Sequence, residues 1–216
     1  MPRLTPIRTL VFAVAATIMA LTGAAHAAKN AALSKDQRAV VAKIANYINS
    51  ITTLEGEFTQ ISPKGKVSSG IFYISKPGKL RFEYAPPNPF LIVSDGTWLT
   101  VQNRARSKAD QYPLSKTPLR LMLSDNVDLF KQAIVRGVKD NDGILTIALE
   151  DRDQLVSGHL VLVFNDNTKS LQQWIVVDGQ GRRTTVSLGR TVAGTKPDPR
   201  LFRVKVKDPS ASKLDR

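Results

Sequence analysis

The residue types that most often carry chemistry are scarce in this chain. Its 216 residues include two histidines and no cysteine. His26 lies in an apolar N-terminal stretch, and His159 lies in "SGHLVLVFND", a strand-like run. A metal centre needs several ligands brought together, and a nucleophilic triad needs a base held beside its nucleophile. One histidine on a strand provides neither and reads as a surface or edge residue. Glu150, Asp151 and Asp153 cluster around Arg152. They are the carboxylates to weigh for acid–base work, an esterase being the example to consider, but the group reads as a solvated turn. No G-x-S-x-G elbow and no phosphate loop occurs. The expectation is a protein that is not an enzyme and that holds no metal and no cofactor.

Binding is the remaining possibility, and the N-terminus and the charge narrow it. Residues 1–27 read as a cleaved signal peptide: Arg3 and Arg8 make a positive start, Thr9 to Leu21 is uncharged and mostly apolar, and Ala25-His26-Ala27 is a small-x-small cleavage pattern. The apolar run is too short to span a bilayer comfortably. Residues 28–216 are then one exported domain, long enough for a substantial core. Without cysteine that core must stand without disulfides. The net charge of +13 favours anionic partners. An exported chain rarely meets nucleic acid, so lipid head groups and acidic proteins fit the charge better.

The elements follow from hydrophobic period. Ser34-x-x-Gln37 is a capping box. Val40, Val41, Ile44, Ile48 and Ile51 then recur at helical spacing and predict an amphipathic helix that must lie on something apolar. After Thr53 the period becomes two. Runs at 54–62, 66–78 and 79–84 read as strands, and 89–103 as two strands joined at an Asp95-Gly96 hairpin turn. The segment 104–130 breaks the rhythm and suggests a short second helix after Pro118. Strands resume with turns at Asn141-Asp142-Gly143, Asp166-Asn167 and Asp178-Gly179, and "PRLFRVKV" closes the series. About ten to eleven antiparallel strands result. The runs 71–74, 90–93, 144–149, 160–164 and 174–177 are apolar on both faces, more than a one-sided sheet requires. One good helix cannot cover so much surface, so a curled, half-open barrel with that helix across its mouth is expected. Pattern alone leaves open whether the interior is hollow or packed on itself.

At this point the chain resembles a known family. "LEGEFTQ" at 54–60, "GIFYISKPGKLRFEY" at 70–84, "FLIVSDG" at 90–96, "TPLRLML" at 117–123 and "DPRLFRV" at 198–204 stand in order behind a helix. The set is similar to the periplasmic outer-membrane lipoprotein carrier family, LolA. The resemblance implies a mainly β fold with an α lid: an incomplete antiparallel barrel covered by the N-terminal helix and a short internal one. Its apolar cavity would hold acyl chains of lipoproteins. A member would take cargo from an inner-membrane lipoprotein-releasing ABC transporter, cross the periplasm as a monomer and deliver to an outer-membrane lipoprotein receptor. The sibling receptor is lipid-anchored through a cysteine, which this chain lacks.

Carried over by position, Phe72, Ile74, Leu80, Phe82, Tyr84 and Ile92 are the expected acyl-chain contacts, and Ile44 and Ile48 belong to the lid helix. Lys76 stands where the family usually has an arginine that latches the lid by bonding to backbone carbonyls; lysine lacks the planar fork. Arg81 matches a second, commonly basic position and is counted with Lys76 as the expected lid latch. Many members follow the Ser-Asp-Gly turn with an aromatic-Asp-Pro pattern. This chain instead carries Arg104, Arg106 and Lys108, a solvated loop or a basic patch. Two other exported roles stay open: a LolA-like sensor, or a carrier of another amphiphile such as a glycolipid. A charge-driven binder of anionic envelope polymer is a further class.

Overall fold

The structure, a computed structural model, describes residues 33–106, 108–152 and 157–204. The expected signal peptide and Asp153 lie outside the described residues.

Helix α1 spans Lys35–Ser50 and begins as the sequence predicts. Ser34 Oγ accepts from the Gln37 amide, and the Gln37 side chain accepts from the Ser34 amide. Its buried residues are Val41, Ile44, Tyr47 and Ile48, spaced to form one face. Ile51 is the C-cap rather than a helical residue.

The strands are β1 (Thr53–Ile61), β2 (Val67–Ser75), β3 (Lys79–Tyr84), β4 (Phe90–Asp95), β5 (Trp98–Asn103), β6 (Lys108–Pro113), β7 (Ala133–Asn141), β8 (Ile144–Asp151), β9 (Gly158–Asn165), β10 (Ser170–Asp178) and β11 (Arg183–Ala193). They form one antiparallel sheet in the order β6-β5-β4-β3-β2-β1-β11-β10-β9-β8-β7. Two meanders are thus joined by the β1–β11 pairing, and β6 and β7 are the free edges among the described residues. The expected count holds, but two details differ. Residues 108–113 form a strand where a break in rhythm was read. The closing "PRLF" is not a strand but a 3-10 helix, Pro199–Phe202, capped by the Asp198 side chain on the Arg200 amide.

The sheet curls. Four inter-strand steps separate β3 from β10, roughly 19 Å in a flat sheet, yet the Phe82 and Trp174 ring centroids lie 5.6 Å apart. Register shifts in β1, β7 and β10 supply local bends. Gly70 brings β2 and β3 close, because a Cβ there would meet the Glu83 carbonyl oxygen at 2.0 Å and the Phe58 ring at 2.8 Å.

Two further helices, α2 (Arg120–Leu123) and α3 (Leu129–Gln132), occupy the connection between the two free edges. Together with α1 they cover the inner face. The Asn49 side-chain amide donates to the Val127 carbonyl and accepts from its amide at 3.0 and 2.8 Å, fixing α1 to the α2–α3 link. The outer face carries a smaller apolar cluster, in which Leu91 and Val93 pack under Phe202 with Tyr73 and Leu201. This explains why 90–93 is apolar on both faces: a different layer covers each side.

Candidate functional site

The inner face is unevenly filled. Under α1 and α3, the inward residues Leu145, Ile147, Leu149, Leu160, Leu162 and Phe164 are fully buried, and the Tyr47 and Phe164 rings lie 5.3 Å apart. The seam between α1 and the sheet, bounded by Ile48, Ile51, Ile74, Met122 and Phe164, encloses only about 10 Å³. On the other side of the interior, beside Leu119, a cavity of about 210 Å³ remains. Its walls come from β3, β4 and β5 on one side and β10 and β11 on the other: Leu80, Phe82, Tyr84, Ile92, Leu99, Val101, Trp174, Val176 and Val186, with Gln60 and Thr184 as the polar members. The hollow expected beneath the N-terminal helix therefore lies beside it. α1 spends its apolar face on the β7–β8 side, where the alternating leucines leave no gap.

An aromatic group forms the floor. Phe58 meets Phe82 and Tyr84 edge-on at 4.6 and 5.1 Å, and Phe72 stacks on Phe82 at 5.6 Å. The Tyr84 hydroxyl donates to Gln60 Oε1 at 2.7 Å, and burial pushes its pKa up to about 12. It stays neutral at any physiological pH, so the cavity wall carries no charge from it.

The residues singled out in the sequence separate into three groups. Leu80, Phe82, Tyr84 and Ile92 line the cavity. Ile74, Ile44 and Ile48 lie in the packed region with α1, Ile74 and Ile48 facing the narrow seam, while Phe72 is fully enclosed in the aromatic floor. Lys76 and Arg81 do different things. Lys76 Nζ donates to the Ile48 carbonyl in the last turn of α1 at 3.0 Å. Burial lowers its pKa, with Asp125 opposing the shift. Arg81 is on the outer face and donates to the Leu201 carbonyl at 3.0 Å and to Glu83 at 2.6 Å. Alternation along β3 explains the difference: Leu80, Phe82 and Tyr84 point inward, so Arg81 and Glu83 point outward. Arg81 thus fastens the C-terminal 3-10 helix, and the expected pairing of Arg81 with Lys76 at the lid is not what the geometry gives.

The sequence blocks that stood out are joined by one junction. Gly78, at φ 73°, donates its amide to the Leu123 carbonyl. Its own carbonyl accepts from the buried Ser94 hydroxyl at 2.7 Å, and a Cβ on it would fall 2.7 Å from Gly96 Cα. The Lys-Pro-Gly turn, the Val-Ser-Asp-Gly turn and the end of "TPLRLML" therefore meet beside the Lys76 bond to α1. Sequence reading did not find Leu99, Val101, Trp174, Val176 and Val186. They are ordinary alternating strand residues, and only the curl brings them to the same space. A larger, open groove of about 570 Å³ lies at this junction, but Thr97, Ser115, Arg120 and Ser124 make its walls polar.

The acid cluster is not assembled for catalysis in the described residues. Glu150 is held by Arg136, whose hydrogen bond keeps its carboxyl below the usual range. Asp151 is buried and gripped by Arg120 through two carboxylate oxygens. His159 is half-buried in β9 opposite Val177, inside the sheet rather than at its edge.

The class is thus a mainly β fold of one open, curled antiparallel sheet with helices over its inner face and a hollow lined by uncharged side chains. Comparison with known proteins gives this class its family. The model of the outer membrane lipoprotein carrier protein LolA matches residues 49–205. An outer-membrane lipoprotein carrier protein of Chromobacterium violaceum is 37% identical over 113 residues, 49% of this chain and 54% of that protein. One from Cupriavidus taiwanensis is 30% identical over 150 residues, 63% and 65% of the two chains. In both cases the match spans less than two thirds of the relative's length. Among solved structures, a LolA superfamily protein from Nitrosomonas europaea aligns with 77% of this chain and 97% of its own at 9% identity, with a TM-score of 0.42. The chain belongs to the outer membrane lipoprotein carrier protein LolA family.

Proposed function

We propose that this protein is a periplasmic carrier that shelters the acyl chains of lipoproteins and moves them from the inner to the outer membrane. The observation that supports this most is the uncharged cavity of about 210 Å³ beside a sealed helix. Its volume lies below the roughly 300–1,000 Å³ of ordinary ligand pockets. The reading is thus of a nearly closed carrier, in which larger cargo requires α1 to lift from Ile74, Phe164 and Leu171. Each methylene taken from water contributes about 0.8 kcal/mol. About ten of them give roughly 8 kcal/mol, micromolar-class binding before ordering costs. That range suits a shuttle, which must both hold cargo and release it. Leu80, Phe82, Tyr84 and Ile92 are the proposed acyl contacts in the open hollow. Phe72, Ile74, Ile44 and Ile48 join only when the lid is raised. Lys76, through the Ile48 carbonyl, is the proposed latch. The donor and acceptor of cargo are an inner-membrane lipoprotein-releasing transporter and an outer-membrane receptor.

Mass spectrometry of the protein recovered after export tests this reading. The expected result is co-purified peptides bearing a lipidated N-terminal cysteine. Recovery of only phospholipid or glycolipid would make it a carrier of another amphiphile. Failure to take up any acylated peptide offered in detergent would overturn the carrier role.

A further inference from the structure

The strand ends gather into two rims of unlike character. In an antiparallel meander the turns alternate between the two ends of the sheet. One rim therefore collects the β1–β2, β3–β4, β5–β6, β8–β9 and β10–β11 turns, the β8–β9 connection being described as far as Arg152 and again from Ser157. It carries Lys64, Lys66, Arg104, Arg106, Lys108, Arg182 and Arg183. Glu83 engages Arg104 and Asp178 engages Arg182. Among the described residues Lys64, Lys66, Arg106, Lys108 and Arg183 have no carboxylate partner; of the acids at this rim, Asp110 is exposed in β6 and Asp151 is buried against Arg120. The opposite rim is mixed: Asp95, Asp140, Asp142 and Asp166 alternate with Lys79, Lys139 and Lys169, and Asp166 is tied to Lys43 and Lys169.

Both rims expose apolar side chains, Trp98, Tyr112, Ile144 and Val192 standing at the mixed rim, but at the basic rim they sit among unpaired cations. Ile61 and Val67 face each other across the β1–β2 hairpin next to its lysines and are 44% and 63% exposed. Phe90, 40% exposed, starts β4 at the same rim. The cavity spans the short strands from Leu80 and Leu99 near the opposite rim and reaches this end with its polar members. Tyr84 is the last residue of β3, Gln60 the last but one of β1 and Thr184 the second of β11, while Ile92, Val101 and Val176 are each two residues inside their strand ends.

We infer that the basic rim is a docking surface for an anionic phospholipid bilayer, with the β1–β2 hairpin tip entering the head-group layer. Unpaired cations meet lipid phosphates, and Ile61, Val67 and Phe90 reach the acyl boundary below them. A bilayer matches both features together, whereas an acidic protein face matches only the charge. Docking in this orientation points the polar end of the cavity at the membrane. The inference stands apart from the carrier reading, because vesicle binding tests the rim whatever occupies the hollow.

The test is co-sedimentation of the protein recovered after export with two kinds of vesicle, phosphatidylcholine alone or with roughly one third phosphatidylglycerol, at low and high salt. Binding to the anionic vesicles at low salt and loss of it at high salt are expected. Each neutralised lysine near the surface lowers partitioning about fivefold, so Lys64→Gln with Lys66→Gln lowers it roughly 30-fold. Ile61→Ser with Val67→Ser lowers it further in a manner that salt does not mimic. Lys79→Gln with Lys139→Gln on the opposite rim leaves it unchanged. Equal binding to both vesicle types, no binding to anionic vesicles at low salt, or an equal loss from the opposite-rim pair would overturn the inference. Rim-dependent capture of an acidic protein without vesicle binding would overturn it as well.

Discussion

The β7–β9 side of the sheet and the β3–β5 side begin from the same alternating pattern and end in different states. Leu145, Ile147, Leu149, Leu160 and Leu162 have no exposed surface because α1 and α3 lie on them. Leu80, Phe82, Ile92 and Val101 project from an equally regular face, but only Leu119 reaches toward them and a cavity remains. Strand pattern decides which side chains turn inward. The path of the covering helices decides whether the space they turn into is filled. In this molecule α1 together with the one-turn α3 is enough for half of the interior.

The contrast is most exposed to core truncation. Leu162→Ala, on the packed side, is expected to cost about 2–5 kcal/mol, as for a large side chain removed from a close-packed site. Ile92→Ala, on the hollow side, should cost less than about 1.5 kcal/mol, because that side chain already faces a void and forfeits fewer contacts. Denaturant unfolding of the two variants measures the difference, and equal costs would mean that both sides are packed alike.

A smaller effect is expected where the two sides meet. Lys76→Leu removes the bond to the Ile48 carbonyl but also removes a half-buried cation. A hydrogen bond to a charged group contributes about 1.5–3 kcal/mol, so amide exchange in the last turn of α1 should speed up roughly ten- to a hundredfold while global stability changes little. Unchanged exchange there would show that packing of Ile44 and Ile48 alone holds the helix. Because burial lowers the Lys76 pKa, the unfolded chain binds more protons between that lowered value and 10.5. Stability must then rise with pH across that window, and the Leu variant should flatten the rise.

The smallest effect belongs to the outer face. Arg81 is the main cause, with Arg104, of a lowered Glu83 pKa. Their contribution is present above the ordinary carboxylate value and is lost as pH falls through the lowered one. Glu83→Gln should therefore make the acid limb of the stability curve shallower by an amount near that of an exposed ion pair, below about 1 kcal/mol. A change in ligand uptake in this variant would contradict the separation of the outer face from the cavity.

What could be read in the sequence follows the same physics. The Ser34–Gln37 box and the Val41-Ile44-Ile48 spacing fix α1 locally, and Asp142-Gly143 adopts the positive φ values of 51° and 83° that its hairpin needs. The strand 108–113 was not legible, because Lys108, Asp110 and Gln111 are exposed and an edge strand wetted on both faces shows no alternation. "PRLF" was misread because its apolar residues pack outside the barrel, on Leu91 and Val93. Part of the cavity was legible only as strand alternation at Leu80, Phe82, Tyr84 and Ile92. Trp174, Val176 and Val186 join them through a curl that no local spacing encodes. Phe82, buried against Phe58, Phe72 and Trp174, bears weight in the fold as well as on the cavity wall, so Leu99 and Val101 are the cleaner positions at which to alter the hollow.

Filling that hollow is the most direct test. Leu99→Trp with Val101→Trp places two indoles in the cavity without touching α1, and binding of a fluorescent long-chain fatty acid is then compared with that of the unaltered protein. The account predicts micromolar-class binding by the unaltered chain, and at least a tenfold loss in the filled variant with no drop in melting temperature. Equal binding by both proteins would show that acyl chains do not enter this hollow.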